Sequence, residues 1–215
     1  MKSTQKLGGL AALYLAAAYL ATIVLFLLVF DYMSITNALQ KVELLAAQTS
    51  LFILSNLWAY VLFGLALVVL VLALYDRVKN ETPNLARVTA VIGFIWATVL
   101  IASGLIANAS IPLVLSVYPS DHSQAALTWS TLEVVSNGLG GTSGEILGGL
   151  MTLLVSIAGF KAARLPKALN VLGLLVGCIG IATTLPALTD FTGVFGISQM
   201  AWFVWLGIVL LRKNN

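Results

Sequence analysis

Long runs of apolar residues alternate with short polar segments along the whole chain. Six runs are close to the length of about 20 residues that an α-helix needs to cross the hydrocarbon core of a bilayer. They predict transmembrane helices at residues 8–30, 51–74, 87–108, 144–161, 167–187 and 193–211. The pattern therefore predicts an all-α membrane protein, in which residues 1–215 form one six-helix bundle.

Two of the segments between these runs are long enough to hold structure of their own. Apolar residues in 31–50 recur three to four positions apart between Ile35 and Leu45, which is typical of a helix that lies on a surface or caps a bundle. The second segment, 109–143, contains a half-apolar stretch at 123–136. We expect a short extra helix in each segment.

Basic residues are divided unequally between the two sides that this arrangement creates. With the N-terminus inside, only Lys41 falls outside, and ten basic residues fall on the cytoplasmic side: Lys2, Lys6, Arg77, Lys79, Arg87, Lys161, Arg164, Lys167, Arg212 and Lys213. Lysine and arginine are retained on the cytoplasmic side during membrane insertion. The split predicts a multi-pass protein of a bacterial-type inner membrane with both termini cytoplasmic.

Composition agrees with a membrane protein and excludes several other classes. The chain is 60% apolar and 9% charged, whereas soluble domains carry about 25% charged residues. The net charge of +3 is spread over short loops, so we expect no nucleic-acid partner. The expected partners are the lipid bilayer and either other membrane subunits or a second copy of the chain. No cofactor motif is present, and none is expected.

Glycines occur at the spacing that allows helices to approach closely in lipid. Gly140, Gly144 and Gly148 recur at every fourth position, and Gly173 and Gly177 form a GxxxG motif. Such residues allow backbone-to-backbone packing, which holds helices together where the surrounding solvent is also apolar. They predict packing inside one bundle, with a dimer interface as the alternative.

Glu145 is the acidic residue with the strongest claim to a role. It opens the predicted helix 144–161, where a carboxylate could cap free N–H groups at the positive end of the helix dipole. Alternatively, it is a functional acid facing a cavity between helices, with Asn56 as a second lining residue. Both interpretations remain open from the sequence.

A metal site is a weaker hypothesis. His122, with Asp121, Glu133 and Glu145, supplies one imidazole and three carboxylates of the kind that bind metals, but their spacing matches no known motif. His122 is the only histidine, and a solvated loop is the expected environment. No Asp, Glu, Lys, Arg or His falls in the middle third of a predicted span, which disfavours ion-coupled transport.

Two helix pairs resemble each other in sequence. Residues 85–93 can be aligned with 165–173, so that Gly93 lies over Gly173, and Gly64 then lies over Gly149 if one inner loop is shorter. Helices 2–3 and 4–5 would be parallel repeats, an arrangement found in some transporters.

The second half of the chain also resembles a known family. The relevant segments are 144–150, 164–173 and 202–212, and they are similar to the bacterial six-span membrane proteins grouped as a domain of unknown function, DUF4386. The resemblance implies an inner-membrane protein but no particular activity. It draws attention to three motif positions: Glu145, Pro166 and Gly173.

Three functions are compatible with these patterns. The favoured hypothesis is a non-enzymatic bundle or an accessory subunit of a membrane assembly. The second is a transporter, or a lipid or small-molecule binder, with an outward-facing cavity near Glu145. The third is a metal-dependent membrane enzyme that uses His122, Glu133 and Glu145.

Overall fold

The structure is a computed structural model that describes residues 2–140 and 145–212, except for the side chain of Lys2. Its regular elements within those ranges are all helical. The α-helices are α1 (Lys2–Val24), α2 (Ala38–Ala47), α3 (Thr49–Asn56), α4 (Phe63–Val78), α5 (Pro83–Val117), α6 (His122–Gly140), α7 (Ile146–Ala162), α8 (Lys167–Ala182) and α9 (Thr192–Leu211).

Short stretches of other helix types extend or join these elements. A π-helical turn at Leu25–Val29 continues α1, and another at Leu57–Leu62 joins α3 to α4. Single-turn π segments of this kind occur within longer α-helices, so residues 49–78 form one continuous rod. A 3₁₀ helix at Pro186–Phe191 precedes α9.

Six helical rods close into a ring in the order α1, α3–α4, α5, α7, α8 and α9, and α9 returns to pack against α1. Neighbouring rods are antiparallel, as α4 and α5 illustrate. A Cβ atom added at Gly64 would contact Ile101, whereas one added at Gly104 would contact Tyr60. The ring closes through glycine, since a Cβ on Gly207 would lie 3.0 Å from the Gly9 carbonyl oxygen.

Large apolar side chains fill the centre of the ring, and others cover its outside. The central cluster includes Leu15, Leu67, Trp96, Phe195, Trp202 and Phe203. Leu10, Leu65 and Leu175 are more than half exposed on the outer surface. A bundle that is apolar both inside and outside suits a lipid solvent.

A second apolar cluster lies beyond one end of the ring. Here α2 and α6 pack against the last part of α5 and bury Val42, Leu45, Ile111, Val114 and Trp129. We call this unit, made of α2, α6 and residues 105–117, the cap. The end of the ring that carries the cap is the outer end, and the end where α1 begins is the inner end.

Basic and acidic side chains are linked at the inner end. The Arg77 Nε donates to the carbonyl oxygen of Arg164 at 2.9 Å, and its Nη1 donates to Gln5 Oε1 at 3.0 Å. Arg164 also pairs with Glu81, and this contact lowers the pKa of the Glu81 carboxyl. Lys213 and the side chain of Lys2 lie outside the described part of the chain.

Four helices are long and apolar enough to cross a membrane: Ser3–Val29, Thr49–Val78, Pro83–Val117 and Pro186–Leu211. The predicted all-helical architecture with membrane-length apolar helices is therefore confirmed. α7 and α8 are apolar but have only 17 and 16 residues.

Several helices end at residues other than those predicted for the spans. The span expected to end at residue 108 continues through Pro112 to Val117, because the cap buries Ile111 and Val114 and so stabilises this end of the helix. The extra helix expected at 123–136 is the 19-residue α6. At its C-terminal end, α8 stops at Ala182 rather than 187, and the chain turns ahead of Pro186, which has no N–H to continue the helix.

Candidate functional site

Glu145 lies immediately before α7, where the end of α8 holds it in place. Its backbone N–H donates to Thr183 Oγ1 at 2.9 Å, and that hydroxyl donates to the Gly180 carbonyl oxygen at 2.7 Å. Thr183 is fully buried. The start of α7 is therefore held in place by α8 through the Glu145 backbone, and the Glu145 side chain takes no part in this contact.

Two phenols lie in the same half of the ring as Glu145: Tyr19 packs edge-on against Phe63 with ring centroids 5.5 Å apart, and Tyr60 lies beside Gly140. Across the ranges 2–140 and 145–212, the Glu145 carboxyl group forms no hydrogen bond or ion pair. The side chains of Glu145, Tyr19 and Tyr60 are each half-buried. We infer that they border a recess inside the outer half of the ring.

Aromatic rings form the inner side of this recess. One turn along α7 from Glu145, a Cβ on Gly148 would lie 2.8 Å from Trp96 Cζ2 and 3.1 Å from Phe195 Cζ. The Trp96 ring packs edge-on against Phe63 with centroids 6.1 Å apart. The start of α7 therefore lies beside a layer of aromatic side chains.

Glycine also allows α6 to reach the recess from the cap. A Cβ on Gly140 would lie 2.9 Å from Tyr60 Cε1 and 2.7 Å from Ser103 Oγ. Ser103 in turn donates to the Ser136 carbonyl oxygen at 2.8 Å. The last turn of α6 thus packs directly against the Tyr60 ring.

The prediction that the Glu145 side chain caps the free N–H groups of α7 is wrong, because the side chain accepts no capping hydrogen bond. Asn56, the second predicted cavity residue, is occupied elsewhere: its Nδ2 donates to Asn108 Oδ1 at 2.9 Å. Asn108 then donates to the Ile53 carbonyl oxygen at 3.3 Å. Asn56 therefore joins α3 to α5, and no contact with Glu145 is observed.

The three metal candidates are separated. His122 is exposed and packs against the Tyr118 ring, with centroids 4.7 Å apart. Glu133 lies 11 residues further along α6, which places it about 16 Å away at 1.5 Å per residue. Among the residues described, no group of three or more His, Cys, Asp or Glu is arranged to hold a metal ion.

Glu133 instead joins the two halves of the cap. It accepts a hydrogen bond from Tyr32 at 2.6 Å and forms an ion pair with Lys41 at 3.0 Å. The Trp129 Nε1 donates to the Tyr32 hydroxyl at 3.0 Å. Burial and the hydrogen bond to Glu133 raise the pKa of the Tyr32 phenol. This network is structural, since every polar group in it has a partner.

We expect Glu133→Ala to reduce the free energy of unfolding by about 1–3 kcal/mol, because it leaves the partly buried Lys41 and Tyr32 without their acceptor. Thermal unfolding in detergent measures the change. Glu43→Ala is the matched control, since Glu43 is exposed on α2 and should have little effect. Equal losses for both variants would contradict the structural role.

The sequence analysis missed a buried polar cluster between α7, α8 and α9. Thr152 donates to Gln199 Oε1 at 3.0 Å, and Ser156 donates to the Thr152 carbonyl oxygen at 2.8 Å. Gln199 Nε2 and Trp202 Nε1 are buried, and neither has a hydrogen-bond partner among the described residues. The available signal was the single amide of Gln199 within the apolar run that became α9.

We expect Gln199→Met to leave stability unchanged or to raise it by about 1 kcal/mol, because it removes an unpaired buried donor and keeps a similar volume. Gln199→Ala is the comparison and should destabilise through a cavity. Denaturation in detergent measures both. A large loss for Gln199→Met would indicate that the amide has a partner in the membrane.

The predicted packing glycines lie between helices of the same ring. A Cβ on Gly177 would lie 2.8 Å from the Gly149 carbonyl oxygen, and one on Gly173 would lie 2.6 Å from Trp202 Nε1. Gly140 and Gly148 pack as described above, and Gly144 lies outside the described residues. These contacts agree with packing inside one bundle.

Comparison with known proteins identifies the chain by its family. The model of a family described as a domain of unknown function (DUF4386) matches residues 10–213. The chain belongs to the DUF4386 family. No curated protein and no solved structure matches it. Because the match covers nearly the whole chain, it includes the cap, the surroundings of Glu145 and all of the ring except the first residues of α1.

Proposed function

We propose that the chain crosses a bacterial inner membrane six times, with both termini in the cytoplasm. The closed ring supports this arrangement: α7 and α8 are short, but α5 and α9 flank them and both belong to membrane-length segments. The charge distribution also supports it, because Arg77 and Arg164 meet at the inner end, and the positive-inside rule expects such basic residues on the cytoplasmic side.

Reporter fusions test this topology. A reporter fused after Asn215, or inserted at Asn80 between α4 and α5, is expected to be cytoplasmic. One inserted at Asp121, between α5 and α6, is expected to be periplasmic. A periplasmic reporter at Asn215 would contradict the proposed orientation.

The recess around Glu145 supports a binding or transport function. A carboxyl group at membrane depth is costly to bury, so such residues normally pair with a partner or serve a ligand or transport pathway. Glu145 has no partner for its carboxyl group in the described part of the chain. We therefore assign the protein as a small-molecule or lipid-headgroup binder, or a transporter, with its site open toward the outer side.

This assignment differs from the function favoured by the sequence. A bundle without a ligand, or an accessory subunit, gives no role to a carboxyl group that has no partner among the residues that the structure describes. The enzyme hypothesis would require groups that react together, and His122, Glu133 and Glu145 lie apart. The Glu145 carboxyl group, which has no partner among residues 2–140 and 145–212, is the single observation on which the binding function rests.

Cysteine labelling tests whether the recess is open to the outside. In a Cys178→Ser background, Glu145→Cys should react with a charged, membrane-impermeant thiol reagent added to intact spheroplasts. Ser156→Cys is the matched control on the same helix and should not react, because Ser156 is fully buried. Asp121→Cys, in the exposed turn before α6, should react and so shows that the reagent reaches the outer surface of the protein. If Asp121→Cys reacts and Glu145→Cys does not, the outward recess is rejected.

A further inference from the structure

The inner end of the ring carries a positive charge that its own acidic side chains do not balance. Of the chain's acidic residues, Asp76 and Glu81 lie at this end, and they are already paired with Lys79 and Arg164. The other described basic residues here have no ion-pair partner within residues 2–140 and 145–212: Lys6, Arg77, Arg87, Lys161, Lys167 and Arg212. A fixed counter-charge for them has to come from outside the described chain.

Among these residues, Arg77 is held in a fixed position by hydrogen bonds. Its Nε donates to the Arg164 carbonyl oxygen at 2.9 Å, and its Nη1 donates to Gln5 Oε1 at 3.0 Å. Gln5 is itself anchored, because its Nε2 donates to the Ala73 carbonyl oxygen at 2.7 Å. The half-buried guanidinium group is therefore fixed where α1, α4 and the turn between α7 and α8 meet.

These contacts position the Arg77 guanidinium group without balancing its charge. Both acceptors, a carbonyl oxygen and an amide oxygen, are neutral. Its Nη2 has no acceptor among the described residues, so the two N–H bonds of that nitrogen are available. The neighbouring Arg164 is already neutralised, because its Nε donates to Glu81 Oε1 at 2.9 Å. Arg77 is therefore a positioned cation with free donors, an arrangement suited to an oxyanion.

Phosphate is the oxyanion that the position of Arg77 favours. The planar fork of donors in arginine matches the oxygens of a phosphate group. Arg77 lies in the last turn of α4, one residue before the end of the membrane-length segment Thr49–Val78. On the proposed topology this is the level of the cytoplasmic head groups. Anionic phospholipids there are attracted to basic residues at helix ends, and the other unpaired basic residues of the inner end add to this attraction.

We propose that Arg77 binds a phosphate group at the inner end of the ring, with its Nη2 as the principal donor. Gln5 and the Arg164 carbonyl oxygen are positioning groups, because they fix the guanidinium group without contacting the ligand. The phosphate supplies the counter-charge that the described chain lacks. Two sources can provide it, a phospholipid of the cytoplasmic leaflet and inorganic phosphate. This site is separate from the recess around Glu145 in the outer half of the ring.

Thermal unfolding of the full-length protein in a neutral detergent tests the ligand class. A ligand that binds only the folded state raises the unfolding midpoint as its concentration rises. Phosphatidylglycerol and inorganic phosphate are the two probes, with diacylglycerol and sodium chloride of equal ionic strength as their controls. A rise with phosphatidylglycerol alone identifies a lipid ligand, and an equal rise with inorganic phosphate identifies the free ion. No rise with either probe, or equal rises with the controls, would overturn the proposal.

Two arginine variants assign the binding to one residue. Arg77→Gln should weaken phosphate binding about tenfold or more, the loss expected when hydrogen bonds to a charged group are removed. Arg87→Gln is the matched control, because it removes the same charge from an exposed position at the same end, and it should weaken binding by less than about twofold. Equal losses in the two variants would indicate general attraction to a basic surface and would reject a site at Arg77.

Gln5 provides a second test that keeps the arginine. Gln5→Glu places a carboxylate beside the Arg77 Nη1 and supplies the counter-charge from within the chain, so phosphate binding should again fall about tenfold. This variant decides the outcome if Arg77→Gln does not fold in detergent. Ser3→Glu is the matched control, since it adds the same charge at an exposed position of α1 and should have little effect. Phosphate binding by Gln5→Glu as tight as that of the unaltered protein would contradict the site.

Discussion

Gly149→Val should destabilise the protein by about 3 kcal/mol or more, the upper end of the cost of overpacking a core. A Cβ at this position would lie 2.7 Å from the Ile181 nitrogen and 2.8 Å from the Gly177 carbonyl oxygen. Both are backbone atoms, so no change of side-chain rotamer can relieve the contact. α7 and α8 would have to separate along their shared interface.

Thermal unfolding and the yield of monodisperse protein in mild detergent measure this effect. Gly193→Ala and Gly138→Ala are the matched controls, because a Cβ at either glycine meets nothing within 4 Å. Both lie in helices, so they should be neutral or stabilising by about 0.5–1 kcal/mol through the lower backbone entropy of alanine. A Gly149→Val protein as stable as these controls would contradict the close approach of α7 and α8.

Trp202→Ala should cost about 3–5 kcal/mol, as expected when a large aromatic side chain is removed from a packed core. The Trp202 side chain is completely buried, and its ring packs against Phe203 with centroids 5.5 Å apart. Trp202→Phe should cost less than half as much, because it keeps most of the apolar volume and removes the unpaired Nε1.

Equilibrium unfolding in detergent separates these two variants. Trp205→Ala is the control on the same helix, since Trp205 is 39% exposed on the outer surface. It should change stability by less than about 1 kcal/mol in detergent, as surface substitutions usually do. Similar losses for Trp202→Ala and Trp205→Ala would contradict the position of Trp202 at the centre of the ring.

The helical fold could be predicted because lipid imposes a simple rule on sequence. Within hydrocarbon every backbone polar group must be paired inside its own segment, so apolar length alone identifies a helix. The rule fails where a helix is surrounded by protein and not by lipid. Pro112 resembles a helix end, yet α5 continues past it because the cap packs against Ile111 and Val114.

The recess could be predicted only in part. Glu145 was identifiable because an acid at the start of an apolar run is unusual. Its surroundings were not, because the positions of Tyr19 and Tyr60 depend on how helices far apart in sequence pack together. Gln199 was overlooked for the same reason, since only the contact with Thr152 distinguishes it from an isolated amide.

The shortness of α7 has a consequence for the surrounding lipid. With 17 residues it extends for about 25 Å, several ångströms less than the roughly 30 Å of a typical hydrocarbon core. A bilayer meets such a mismatch by becoming thinner around the short segment. If the chain crosses the membrane six times, the bilayer would be thinner beside Glu145. Lipid head groups and water would then reach its carboxyl group without any movement of the protein.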